Sequence, residues 1–156
     1  MPMELSPSQF EALLPLACAW AEEQEAVILS LGVALAAGQL EDVAITGVKH
    51  PEKVRLLRVD RIPGPTHPVL AEAGRLTGLV SSGTAGLTLR NGIFIRSDCW
   101  GDRRLLVHEM VHVGQYERLG GIEPFLRQYL WECITVGYSA SPLEQEAVRV
   151  AAATRL

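Results

Sequence analysis

Two histidines four residues apart constrain this chain more than any other feature. They lie in Arg103-Arg104-Leu105-Leu106-Val107-His108-Glu109-Met110-Val111-His112-Val113-Gly114-Gln115-Tyr116. At that spacing on a helix they sit about 40° from each other around the axis, on one face and one turn apart. Both imidazoles then reach a single metal ion at roughly 2.0–2.1 Å, the Zn–N distance. Glu109 stands about 100° further round the helix. It clears the ligands there, yet can touch a water held by the ion, as a general base must. This is the HExxH pattern. Asp102 suits an N-cap, Leu105, Leu106, Val107, Met110, Val111 and Val113 make an apolar helix, and Gly120-Gly121 stops it. The competing reading is a buried structural helix whose histidines bond to backbone or carboxylate partners. Histidines occur only at 50, 67, 108 and 112, so a chance match is rare and the metal reading stands.

A catalytic zinc needs three protein ligands and an open position for water. The extended pattern HExxHxxGxxH would supply a third histidine, but Gln115 and Arg118 occupy those positions. No histidine lies downstream, so the third ligand is expected to be a carboxylate on a later helix. Glu117 points away from the metal, more than a turn past His112, and Glu123 suits a helix cap. Glu132, Glu144 and Glu146 stay open. Glu144 is favoured over Glu146 because Ala147, three residues on, lets helices pack closely. Against it, Ser141 and Glu144 make an S-x-x-E capping box that needs no metal.

The 156 residues suit one domain with a real core. A net charge of −4 with scattered Lys and Arg argues against a nucleic-acid partner bound through phosphates. Cys18, Cys99 and Cys133 share no CxxC spacing, and their odd number suits reduced thiols in a reducing compartment. Met1 to Glu11 carries no positive charge, unlike a signal peptide. The longest apolar run, Ala26 to Ala37, is too short to cross a bilayer. A cytoplasmic protein without a membrane partner is expected.

Along the chain, Ser6-Pro7-Ser8-Gln9 opens a helix through a capping box. Periodicity runs through Phe10, Leu13, Leu14, Ala17 and Trp20 and resumes from Val27, with Pro15 expected to kink or split the segment. Ala26 to Ala37 reads as a largely apolar helix packed on a sheet or on the motif helix. The cluster Glu22, Glu23, Glu25 reads as a solvated face. Val43–Val48 and Val54–Asp60 are β-prone, with a His50-Pro51 turn between them. His67 sits in a proline-rich loop over 62–68, a short helix over 68–76 follows, and 78–86 is a glycine- and serine-rich connection. Asn91-Gly92, between Leu87-Thr88-Leu89-Arg90 and Ile93-Phe94-Ile95-Arg96, is the strongest short-range hairpin signal, both turn residues taking positive φ. The second strand could present an edge to an extended peptide. Helices restart at Ile122-Glu123-Pro124 and at Ser141-Pro142-Leu143-Glu144, the last running to about Thr154. The expected class is α+β: an N-terminal helical segment (1–40), a small sheet with a hairpin (43–97) and metal-site helices (102–156).

The segment Leu105-Leu106-Val107-His108-Glu109-Met110-Val111-His112-Val113-Gly114-Gln115, with Glu144-Gln145-Glu146-Ala147 on a following helix, resembles the gluzincin group of zinc metallopeptidases. More narrowly, it is similar to short bacterial zincin-like domains with an LLxHExxHxxQ signature. A VR-type strand and a hairpin precede that signature, as Val54-Arg55-Leu56-Leu57 and Leu87 to Arg96 do here. The resemblance covers about residues 54–150. It implies a zincin-like fold in which His108, His112 and Glu144 bind Zn²⁺ and Glu109 polarises the water, with a peptide or protein as substrate. This chain carries Val148 where gluzincins often place an Asp that supports a histidine ligand, so another residue must do the orienting. Tyr138 is the nearest counterpart to the oxyanion-assisting side chain of larger relatives. The expected activity is peptide hydrolysis, with water acidified from a pKa of 15.7 to about 7 and Glu109 accepting its proton. A catalytically idle zincin scaffold acting as a binding or regulatory module is the alternative, and hydrolysis of a non-peptide amide the third.

Overall fold

A computed structural model describes residues 5–77 and 83–156. The chain is α+β, with six helices and a small four-stranded mixed sheet among the described residues. Helix α1 (Pro7–Leu31) starts at Ser6, whose hydroxyl accepts from the Gln9 N–H while the Gln9 side chain accepts from the Ser6 N–H. Strand β1 (Val33–Ala34), α2 (Ala37–Asp42), a 3₁₀ turn (Val43–Thr46) and a second short turn (Pro51–Lys53) lead to β2 (Arg55–Val59). Then come α3 (Pro68–Thr77), the hairpin β3 (Gly86–Leu89) and β4 (Gly92–Arg96), α4 (Arg103–Leu119), α5 (Ile122–Val136) and α6 (Pro142–Ala153).

The strand order is β1-β2-β4-β3. β2 and β4 run parallel, while β1 and β3 pair antiparallel on the outside. Alternation along the strands splits the core in two, because neighbouring side chains point to opposite faces. Phe94 and Leu89 pack with Leu13, Leu14 and Ile28 of α1 and with Phe125 and Leu126 of α5. On the other face Leu56, Ile93 and Ile95 meet Leu106, Val107, Met110 and Val113 of α4. The sheet is thus sandwiched between α1 and the motif helix.

Several expectations are corrected. Pro15 does not split α1, which runs unbroken past it. The apolar run does not continue as helix to Ala37. It turns at Gly32 into β1, where a Cβ would lie 2.6 Å from the Ile28 carbonyl and 2.8 Å from that of Leu56, so only glycine lets the backbone through. The β-prone 43–48 stretch forms a 3₁₀ turn instead of a strand. Thr46 Oγ1 donates to the Val43 carbonyl and Gly47 ends the turn at φ +72°. Glu25 is not part of a solvated face: it is buried, accepts from the Arg90 guanidinium at 2.6 Å and from the Asn91 N–H at 2.9 Å, and so seats the hairpin turn. That turn is shifted by one residue from the expected Asn91-Gly92. Leu89 pairs with Gly92, leaving Arg90 and Asn91 as the loop, and of these only Arg90 has positive φ, at 59°. Gly92 belongs to the strand, where a Cβ would sit 2.9 Å from the Ile28 side chain. The edge strand of the hairpin is β3, since β4 is paired on both sides. Most of the glycine- and serine-rich connection, 78–82, lies outside the described residues. No described helix is long and apolar enough to cross a membrane.

Candidate metal centre

Helix α4 begins where Asp102 accepts the Leu105 N–H at 3.0 Å and ends at Gly120, φ +107°. Between these caps His108 and His112 stack one turn apart, their ring centroids 5.2 Å from each other. His112 is buried and His108 partly open. Helix α6 packs against α4, and Ala147, three residues past Glu144, is fully buried. This brings Glu144 across to the histidines. Its Oε1 lies 2.6 Å from His108 Nε2, and its Oε2 3.1 Å from His112 Nε2. One ligand atom from each of the three residues lies within 4.8 Å of the other two, so this group could hold a metal ion.

Ser141 does cap α6, accepting the Glu144 N–H at 3.3 Å. The Glu144 carboxylate faces the histidines rather than returning to the cap. Among the other acids, Glu146 accepts from Gln115 and Arg118. Glu132 accepts from the Ser141 hydroxyl and the Leu143 N–H. Glu117 accepts from the Lys49 and His50 N–H groups, and Glu123 pairs with Arg127. His50 and His67 are exposed loop residues, as expected.

The bonding around Gln115 tests whether the site suits a cation. Its side-chain NH₂ donates to the Leu143 carbonyl at 2.8 Å and to Glu146 Oε1 at 2.7 Å, which fixes the orientation of the amide. The amide oxygen then accepts from His112 Nδ1 at 2.8 Å, so Nδ1 carries the hydrogen. In the neutral imidazole, Nε2 is left with a lone pair aimed at a carboxylate oxygen. Two acceptors at 3.1 Å repel unless a proton or a metal ion lies between them. Donors about 2.0–2.1 Å from a tetrahedral ion are about 3.3 Å apart. The His112 pair is already close to that separation, and the tighter His108 pair requires a small retreat of Glu144. The donor set fits a divalent cation. Gln115, fully buried, does the orienting that Val148, half exposed, does not.

Burial pushes the Glu144 carboxyl up, but the bonds from His108, His112 and Tyr129 hold it well below the usual carboxylate range. Burial likewise lowers His112, but the Glu144 bond and the charges of Glu109 and Glu144 leave its pKa raised above 6.5. Tyr129 donates to Glu144 Oε2 at 2.6 Å and Tyr138 to Oε1 at 3.1 Å. Burial and the Glu144 charge raise both phenols, which stay protonated donors.

Glu109 is buried among protein atoms yet borders an open cleft of about 630 Å³. His108, Gly86, Leu105, Tyr138 and Val148 line it too. Thr88 Oγ1 lies 2.9 Å from Glu109 Oε1. Thr88, Tyr129 and, as the group that orients His112, Gln115 are the site roles that sequence reasoning missed. Thr88 is the polar member of an otherwise apolar Leu-Thr-Leu strand, and that was its only signal. Tyr129 shares a buried face of α5 with Phe125, Leu126 and Cys133, which gives it the pattern of a core residue.

No protein-family model matches the chain, and neither a curated protein nor a solved structure matches it.

Proposed function

We propose that this chain is a zinc-dependent peptidase of the gluzincin type, with His108, His112 and Glu144 as ligands and Glu109 as general base. One observation carries the reading: two imidazole nitrogens and a carboxylate converge into a group that could hold a metal ion, and one of its members, His108, borders an open cleft together with Glu109. Zinc is the natural ion for a two-histidine, one-glutamate donor set. When bound it supplies Lewis acidity, polarising a carbonyl and lowering the pKa of water to about 7. Glu109 accepts the proton of the attacking water and returns it to the leaving amine. Tyr138 borders the same cleft, but its one hydroxyl hydrogen goes to Glu144 Oε1 and would have to turn from that carboxylate to serve the oxygen that gains charge. Gly86 of edge strand β3 lines the cleft, which supports an extended peptide as substrate. The three free thiols support a reducing compartment such as the cytoplasm.

The test is elemental analysis of protein purified without added metal, followed by assay on an unstructured protein such as casein. About one equivalent of zinc and measurable cleavage are expected. Glu109→Gln should keep zinc and fold while losing about 10²–10⁴ in turnover. Glu144→Ala should lose the metal, and Glu146→Ala should retain it. Stoichiometric zinc in Glu144→Ala would overturn the ligand assignment. Stoichiometric zinc without any cleavage would leave the alternative, a zincin-fold binding module.

A further inference from the structure

Two residues of strand β3 look toward α4: Gly86, which lines the cleft, and Thr88, which does not reach it but bonds to Glu109, which does. The Thr88 side chain is buried, and its hydroxyl has two acceptors in reach, Glu109 Oε1 at 2.9 Å and the Glu109 carbonyl at 3.0 Å. The carbonyl already accepts in the α4 ladder, whereas the carboxylate accepts from no other donor among the described residues and, as a charged group, is the stronger acceptor. Thr88 is itself held, because its carbonyl accepts the fully buried Tyr116 hydroxyl at 3.1 Å. At Gly86 a Cβ would stand 3.1–3.2 Å from Glu109 Cγ, Cδ and Oε2. Any side chain there would push the carboxylate aside. The hairpin therefore grips one oxygen of Glu109 and leaves room for the other.

We propose that Thr88 is a positioning residue for the general base: its hydroxyl donates to Glu109 Oε1 and, with Gly86 clearing the space, holds the carboxylate at the cleft. The proposal rests on Glu109 acting as the base. A carboxylate gripped by one oxygen cannot swing toward His108 or into solvent. Its free oxygen keeps one orientation for the proton it must accept. Misplacement of a reacting group by about 1 Å costs on the order of 100-fold in rate.

The experiment compares wild type, Thr88→Val, Thr88→Ser, Gly86→Ala and Glu109→Gln, all zinc-loaded. Metal content, thermal midpoint, kcat and KM on casein-derived peptide, and the Kd of acetohydroxamic acid are measured. A hydroxamate binds zinc as the anion and gives its proton to the general base, so its affinity reads Glu109 placement without turnover. Thr88→Val should keep one zinc and lose kcat by about 10- to 100-fold with KM within about twofold. Thr88→Ser should recover most of that loss, and Gly86→Ala should reproduce the Val phenotype while retaining the hydroxyl. Should Thr88→Val fail to fold, Gly86→Ala and Thr88→Ser carry the test. Wild-type kcat in Thr88→Val, a loss confined to KM, or no rescue by serine overturns the proposal. Zinc-loaded wild type that cleaves nothing refutes the peptidase reading instead. Hydroxamate affinity then decides: a fall in Thr88→Val that parallels Glu109→Gln sustains the positioning role, and an unchanged Kd overturns it.

Discussion

Gln115 is a neutral amide doing a task often given to a carboxylate. Because its NH₂ is committed to Leu143 and Glu146, its oxygen is available to His112 Nδ1 and to nothing else. An aspartate could accept from the same nitrogen but could not donate to the Leu143 carbonyl. Gln115→Leu should therefore release the ring and weaken zinc binding about 10- to 100-fold, as measured by competition with a chromophoric chelator. The protonation of His112 gives a second expectation. In metal-free protein its pKa is raised, burial being outweighed by Glu144 and Glu109, so the proton on the ring competes with the cation. Zinc must displace that proton. Calorimetry at pH 7 in buffers of different ionisation enthalpy should show net proton release, and affinity should fall as the pH is lowered.

At the scale of elements, the hairpin is the piece that ties the site to the rest of the fold. β3 presents Thr88 and Gly86 to Glu109, while the turn is held from the opposite face of the sheet by Glu25 of α1. β4 comes so near to α1 that Gly92 has no room for a side chain against Ile28. Gly92→Ala forces that contact apart and should cost about 1–3 kcal/mol, the usual range for overpacking, read as a lowered denaturation midpoint. The packing of α6 on α4 works likewise: it brings a carboxylate of one helix to two imidazoles of the other.

At the scale of the whole molecule, the three residues that could hold an ion come from two helices that are separated in sequence by all of α5. An ion bound there ties them together in the folded state only, so it stabilises by mass action. With free zinc at about 100 times Kd the gain is about 2.7 kcal/mol. Chelation should lower the thermal midpoint, and restoring zinc should raise it in a concentration-dependent way. The Glu144→Ala protein should show neither change.

The motif helix, its Asp102 and Gly120 caps, the hairpin, and the Ser6 and Ser141 helix starts were legible in the sequence. Helical periodicity, capping and turn chemistry act over a few residues and leave a local signature. Contacts between distant residues leave none. Glu25 reads as a surface acid until Arg90 and Asn91, 65 and 66 residues on, come to meet it. Gly92 pairs in the strand, where Ile28 leaves no space for a side chain, rather than in the turn, and 43–46 forms a 3₁₀ turn where its composition favours a strand. Glu144, Glu146 and Glu132 were separated only when packing sent each carboxylate to a different partner. Spacing can put two imidazoles on one face of a helix. Which carboxylate crosses to them, and which hydroxyl and amide hold the site in order, depends on how helices and strands pack.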